Sequence, residues 1–428
     1  MGGWFLFCRK ASLGMNNGMR RKVSRYRRLA ICYAAPGHSL LSSSGPTRNV
    51  LSLAEALSHW ADVTVAFRSL RESITSEKYK VIAIEPSQRG PANDRDDEAT
   101  RGLNPFAHLS YCRALWSFSR RQADSYDLVL EKGWRLSGSL LNFFRLQGVP
   151  GVLVENDARC WSDPINSFRM IFKYVLHHAA QFIANSCSRR APLIIAETEE
   201  LKNALIRQRG IPPDRVEVVG LGVDRCLFRP MDQQSARISF GIDPAVTLLL
   251  YVGGMDKYHD LIPLIEALGQ ITPSSLELHL VGDGEQRTYY EEKARRARLK
   301  VKFHGRVPHS IVPQYIAAAD LCLAPYTTAA FPNGQVTFST LKVPEYMSCG
   351  RPVISVPSGH ILKRIENHVS GFLFPNDVSS WISFFRALPS RERLSEMGRT
   401  AARAVDSMSW EQTAASYFEI CQRLALKR

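Results

Sequence analysis

No run of roughly 18 apolar residues, the length a helix needs to cross a bilayer, occurs in the 428-residue sequence. A spanning segment is therefore not expected, and the body reads as soluble. The apolar stretch Trp4-Phe5-Leu6-Phe7-Cys8 precedes Arg9 and Lys10, the reverse of the order in a secretory signal, so no cleaved export signal is expected. The nine cysteines (Cys8, Cys32, Cys112, Cys160, Cys187, Cys226, Cys322, Cys349 and Cys421) are odd in number, scattered, and never spaced Cys-x-x-Cys. They read as reduced thiols of a cytosolic protein. His177 and His178 fall in a predicted helix, where adjacent side chains diverge, and no structural metal is expected. No Ser-His-Asp or Cys-His arrangement stands at readable spacing, so no general base is named.

Acids are missing altogether from Met1 to Arg28, which carries Arg9, Lys10, Arg20, Arg21, Lys22, Arg25, Arg27 and Arg28, eight of the net fifteen positive charges. Such a tail either attracts an anionic membrane surface, at about 1 kcal/mol per basic residue close to it, or is a solvated lead-in. Met15 and Met19 offer later starts. No nucleic-acid partner is expected. The location is cytoplasmic, or peripheral on the inner face of a membrane.

What is present is length and alternation. With 45% hydrophobic residues the chain has enough apolar mass for two cores. From Leu29 onward, strand-like apolar runs (Leu29–Ala34, Val63–Phe67, Val81–Ile84, Leu128–Leu130, Val152–Val154, Val216–Val219) alternate with helical stretches (Thr47–His59, Leu109–Ala123, Phe168–Ala179, Glu199–Arg209), a pattern that predicts a parallel sheet covered by helices. Pro86 to Arg101 reads as a loop. Gly220-Leu221-Gly222-Val223-Asp224 interrupts the periodicity as a connection between domains does. A second series follows: Thr247–Val252, Glu277–Val281, Val301–Phe303, Leu321–Ala324, Pro352–Ser355 and Gly371–Phe374. The predicted architecture is α/β, two Rossmann-like doubly wound domains facing a cleft, with ligands at the carboxyl ends of the strands. Its bounds are a tail over 1–28, an N-terminal domain over 29–224, a C-terminal domain over 225–408, and a helix over 409–428 that crosses back.

The segment Phe338-Ser339-Thr340-Leu341-Lys342-Val343-Pro344-Glu345-Tyr346-Met347-Ser348-Cys349-Gly350 carries the most chemical information. Pro344 suits a first helical position, which predicts a helix from Pro344 to about Gly350 with Glu345 in its first turn. A carboxylate there is favoured by the helix dipole in any protein. The approach through small residues and the neighbouring Lys342 point instead to a phosphate site.

This stretch resembles the donor-site signature of the family-4 retaining glycosyltransferases. Leu250-Tyr251-Val252-Gly253-Gly254-Met255, Val281-Gly282-Asp283-Gly284-Glu285, His304-Gly305-Arg306-Val307-Pro308, Val219 to Asp224, and Ser409-Trp410-Glu411 are similar to further family segments, in the family's order from Glu199 to Leu424. The resemblance implies the GT-B fold and a nucleoside-diphosphate sugar donor, with transfer that keeps the anomeric configuration. It implies that Glu345 accepts hydrogen bonds from the ribose hydroxyls. Gly253, Gly254, Phe338, Ser339, Thr340 and Leu341 would then line the diphosphate or the sugar, and Gly282 and Val307 would frame the base. No further cofactor is implied.

Two departures mark a subtype. The acid usual eight positions before Glu345 is replaced by Thr337, and the arginine and lysine usual after β-strand glycines are replaced by Gly254 and His259. A branch of the family pairs a lysine at position 342 with loss of the first acid, which makes Lys342 the candidate to neutralise the leaving diphosphate. His259 either assists there or is structural. Ser44 and Gly45, in the run Ser42 to Thr47, match the family's first loop, where small residues permit close approach of a phosphate or sugar; a helix cap at Ser44 or Thr47 is the plainer alternative. Gly37-His38 and the loop Glu155-Asn156-Asp157-Ala158-Arg159 follow strands and face the cleft, so Glu155 and Asp157 are either catalytic or polar loop residues. Trp116, Trp134 and Trp161 either stack on sugars or pack a core.

The expected activity is glycosyl transfer in cell-surface polysaccharide or glycolipid synthesis. The acceptor is a glycan, a lipid-linked molecule or a small molecule. Alternatives on the same fold are a sugar-nucleotide epimerase and a non-catalytic nucleotide-sugar binder.

Overall fold

The computed structural model describes residues 27–41, 45–85, 105–157, 167–271 and 275–426. Most of the basic tail, Ser42 to Ser44, the loop from Pro86, Arg159 and Trp161 lie outside these. Arg27 and Arg28, grouped with the tail by charge alone, belong to the folded body: Arg27 pairs with Asp127 at 2.6 Å and Arg28 with Asp62 at 3.3 Å.

The N-terminal half is built from β1 (Leu29–Ala35), α1 (Gly45–Leu57), β2 (Ala61–Phe67), β3 (Lys80–Ala83), α2 (Pro105–Gln122), β4 (Leu128–Lys132), α3 (Ser139–Leu146), β5 (Gly151–Glu155), α4 (Phe168–Ser188), β6 (Leu193–Ala196), α5 (Glu199–Arg209) and β7 (Val216–Val218). Its seven strands are all parallel, in the order β3-β2-β1-β4-β5-β6-β7. Strands β4 and β5 are buried at every residue, as a sheet covered on both faces requires. One face packs on α1; the other packs on α2, α3 and α5.

The C-terminal half contains α6 (Gln233–Ser239), β8 (Thr247–Val252), α7 (Ile262–Ile271), β9 (Leu276–Val281), α8 (Arg287–Arg296), β10 (Val301–Gly305), α9 (Val312–Ala318), β11 (Leu321–Ala324), α10 (Lys342–Ser348), β12 (Val353–Ser355), α11 (His360–Arg364), β13 (Gly371–Leu373), α12 (Val378–Arg386) and α13 (Arg391–Ala404). Six parallel strands run β10-β9-β8-β11-β12-β13. The strand order reverses beside β8, a topological switch point of the kind where doubly wound sheets bind ligands.

A last helix, α14 (Trp410–Ala425), lies against α1 and contributes Trp410, Ala414, Tyr417, Ile420, Cys421 and Ala425 to the core of the first sheet. The chain thus passes between the halves twice, and the two passages run side by side. Val223 pairs with Ser409 in a parallel bridge, and Thr413 Oγ1 donates to Gly220 O at 3.1 Å. A Cβ on Gly222 would stand 2.4 Å from Trp410 N, so only glycine fits between the passages.

Candidate active site

The site grows from the ends of four strands of the second sheet. After β8 the backbone turns at Gly253, whose φ of +146° is a glycine conformation. The turn after β9 nests into it, and a Cβ on Gly282 would meet Gly253 O at 2.0 Å. Backbone bonds from Gly253 N to Val281 O (2.9 Å), Met255 N to Asp283 O (3.0 Å) and Gly282 N to Gly305 O (2.8 Å) tie the β8, β9 and β10 ends into one rim. Gly254 and Val307 stand on that rim, where the sequence places a donor.

Helix α10 closes the rim. It begins at Lys342, two residues before the predicted start, so Pro344 sits within the first turn, where its missing N–H is harmless. Tyr346 fastens the helix to β8, its hydroxyl accepting from Val252 N at 2.7 Å. Lys342 and Glu345, three apart, then share a face. The Lys342 Nζ donates to Tyr251 Oη at 3.0 Å and lies 4.2 Å from the centre of that ring. A Cβ on Gly253 would fall 2.7 Å from the ammonium. Desolvation pushes Lys342 down to about 7, against the opposing pull of Asp256 and Glu345.

Glu345 has a side chain only 14% exposed, and among the described residues its carboxylate meets just His309 Nε2, at 3.7 Å. The carboxylate thus keeps its lone pairs free of protein donors and open at the rim, available to a ligand's hydroxyls. In the preceding loop the hydroxyls of Thr337 and Ser339 are buried and find no hydrogen-bond partner among the described residues. Thr340 is satisfied, accepting from Tyr326 Oη at 2.7 Å. Phe338 packs among Tyr258, Phe331 and Tyr326, and Leu341 leans onto the core of the opposite half.

His259 contacts the same cluster. Its Nδ1 is 2.8 Å from Asp256 Oδ1, which assigns that nitrogen the proton of the neutral ring. Burial and the neighbouring Lys342 lower its pKa, while Asp256 opposes them. Asp256, Tyr251, Tyr326 and His309 were not singled out in the sequence, because each acquires its place only through contacts across strands.

The first half presents its own strand ends to this rim. Thr198, which caps α5, also donates Oγ1 to Thr337 O at 2.5 Å. Glu197 lies beside Lys132 at 3.7 Å, both buried. Burial raises Glu197, offset by Lys132 and by the Ser339 N–H, with the charge of Asp157 raising it further. Asp157 and Ser339 are thereby brought to one polar cluster, whose other members, Lys132 and Glu197, carry no local sequence signal. Glu155 turns away into a buried ion pair with Arg209 of α5 at 2.5 Å, a placement that occupies its carboxylate. Gly45 opens α1 with free space around it; Ser44 lies outside the described residues. A Cβ on Gly37 would meet Trp134 at 2.5 Å. Trp134 is a core residue whose Nε1 donates to Glu131 at 2.8 Å, and Trp116 rests edge-on against Phe143.

Comparison with known proteins agrees with this fold. A model described as "Glycosyl transferase 4-like domain" matches residues 44–222, and one described as "Glycosyl transferases group 1" matches residues 246–388. Two curated relatives are D-inositol 3-phosphate glycosyltransferase 2 of Catenulispora acidiphila, 28% identical over 54% of this chain and 56% of its own, and D-inositol 3-phosphate glycosyltransferase of Rhodococcus jostii, 28% identical over 53% and 51%. The chain spans about half the length of the curated relatives it matches. Among solved structures, sucrose-phosphate synthase from Thermosynechococcus elongatus superposes with a TM-score of 0.73 at 18% identity, covering 94% of this chain and all of the other. Anabaena HepE, solved in complex with UDP and glucose, gives 0.66 at 19%, covering 91% and 99%. These structural likenesses show the fold. Two facing doubly wound halves with the site on their carboxyl rims define the GT-B class of glycosyltransferase folds. Within that class the chain belongs to family 4.

Proposed function

We propose that the chain moves a sugar from a nucleoside-diphosphate sugar to an acceptor with retention of configuration. The observation that carries the reading is Glu345, whose carboxylate stands at the rim, 14% exposed, with only His309 near it at 3.7 Å among the described residues, one turn from an ammonium held over Tyr251. Two ribose hydroxyls would complete the carboxylate, and a diphosphate would complete the ammonium. HepE was solved with UDP and with UDP-glucose, which supports a donor of this class. The rim at Gly253, Gly254, Gly282 and Val307 would frame the nucleotide, and Phe338 to Leu341, with Ser44 and Gly45 opposite, would face the phosphates and sugar.

In the reaction the bond from the anomeric carbon to the diphosphate oxygen breaks, and its electron pair leaves with the diphosphate. Lys342 neutralises that growing charge, and His259, held by Asp256, lies within the same cluster. The acceptor hydroxyl bonds to the anomeric carbon from the face being vacated and passes its proton to the departing phosphate. Asp157 stands on the acceptor side, while Glu155 orders the loop through Arg209. No further cofactor takes part. The acceptor is a lipid-linked or polysaccharide molecule at the inner face of a membrane, in keeping with a neighbour, WaaG, involved in lipopolysaccharide biosynthesis.

Thr337, Gly254 and His259, where acid and cations are usual, favour a second reading, a nucleotide-sugar binder without turnover. Purified protein is incubated with a panel of nucleotide sugars, and thermal stabilisation and donor hydrolysis are followed. Both are expected for one donor. Glu345→Ala should weaken nucleotide binding about tenfold or more, as loss of a charged hydrogen-bond partner does, whereas Lys342→Ala should mainly lower turnover. Stabilisation without hydrolysis or transfer would select the binder, and equal losses in both variants would remove the division of roles.

A further inference from the structure

Helix α4 wears its apolar face outward. At about 100° per residue, Phe168, Ile171, Phe172, Val175, Ala179, Phe182 and Ile183 fall within roughly 120° of one another, and all of them are exposed. Phe168 is 84% and Phe182 69% accessible. The opposite face, turned toward the body, holds Lys173, His177, Gln181, Ala184 and Ser188, each buried or partly so. This inverts the arrangement expected of a surface helix in water, and it makes a continuous apolar ridge from Phe168 to Ile183.

Two observations name what covers the ridge. Helix α3 neighbours both α2 and α4; α2 and α3 carry the exposed Arg113, Arg120, Arg121 and Arg145, and none of the three helices has an aspartate or glutamate. An apolar ridge on an acid-free, cationic flank matches the boundary of an anionic bilayer: acyl chains meet the ridge and phosphates meet the cations. No described helix is long and apolar enough to cross a membrane, so the fit is to a helix lying in the interface plane. A second copy would bring the same cations against these and be repelled.

We infer that α4 is an in-plane docking helix that seats the first half on an anionic phospholipid surface. It leaves the sheet from β5, the strand whose end carries Asp157 at the cleft, so docking sets the acceptor side of the cleft against the headgroups. This deepens the reading of a membrane-borne acceptor and rests on it only for the acceptor.

The test uses the full chain with vesicles of phosphatidylcholine alone or mixed equally with phosphatidylglycerol. Co-sedimentation with the mixed vesicles is expected, with about a tenfold fall in bound fraction for Phe172→Glu/Phe182→Glu at unchanged thermal stability. In Phe172→Trp on a Trp4→Phe background, which leaves the basic tail without tryptophan, the added fluorescence should be quenched by brominated acyl chains. Unchanged sedimentation of the double variant, or an unquenched tryptophan, overturns the inference. So does a dimer in sedimentation velocity that the double variant breaks while vesicle binding persists, since the ridge then belongs to a second copy. Nucleoside-diphosphate stabilisation is read on the same samples. Its loss with docking intact removes the donor reading alone, and its retention with docking absent removes the helix alone.

Discussion

Lys342 is the residue on which charge and geometry meet and on which the proposed reaction turns. With a folded pKa lowered to about 7 from 10.5, the unfolded chain binds the extra proton between those values, so stability rises with pH across that window and is lowest below about 7. A bound diphosphate reverses the balance by favouring the ammonium. Nucleoside-diphosphate binding near pH 8.5 should therefore take up roughly one proton, measured by calorimetry in buffers of different ionisation heat, and Lys342→Met should abolish the uptake. Uptake unchanged in the variant would assign the proton to another group. Lys342 and Glu345 were legible in the sequence because they stand in one short segment with a recognisable order. Tyr251, Tyr326 and Asp256, which desolvate and surround that lysine, were not, since they arrive from separate strand ends. Glu155 shows the converse: a loop acid that looks available in sequence is claimed by Arg209, 54 positions away.

At the scale of elements, alternation located all but one of the thirteen strands among the described residues. The exception, β6, is four residues, Leu193–Ala196, following a long helix, and an apolar run that short does not separate strand from helix. Helix α4 extends to Ser188, beyond the predicted Ala179, because no proline or glycine stops it. Its inverted face was invisible for a simple reason: periodicity reveals that a helix is amphipathic but not which side the body will cover. The paired passages between halves yield a prediction of their own. Gly222→Val places methyl groups into the 2.4 Å gap to Trp410 N and should cost about 1–3 kcal/mol, read as a lower denaturation midpoint. Unaltered stability would mean that the passages separate freely.

For the whole molecule, two parallel sheets and the family were legible, because hydrophobic period and segment order survive without knowledge of any contact. What the sequence withheld is how the halves meet, down to the single hydroxyl by which Thr198 caps a helix and holds Thr337. The return of α14 to the first sheet has a consequence in the time domain of synthesis. The first two hundred residues to leave a ribosome would still lack Trp410, Tyr417 and Ile420, which fill their core. Domains usually fold in the order in which they emerge; here the packing of α14 leads us to expect the earlier half to wait for the later. Ribosome-stalled chains ending near residue 400 should leave the N-terminal half open to protease although all seven of its strands have emerged, and full chains carried clear of the exit tunnel by a C-terminal linker, so that α14 is free, should close it. Equal protection at both lengths would show that α14 joins a half already folded. On the first outcome the order of translation and the order of folding are opposed, and a half-made copy exposes the surface that its own last helix covers in the finished fold.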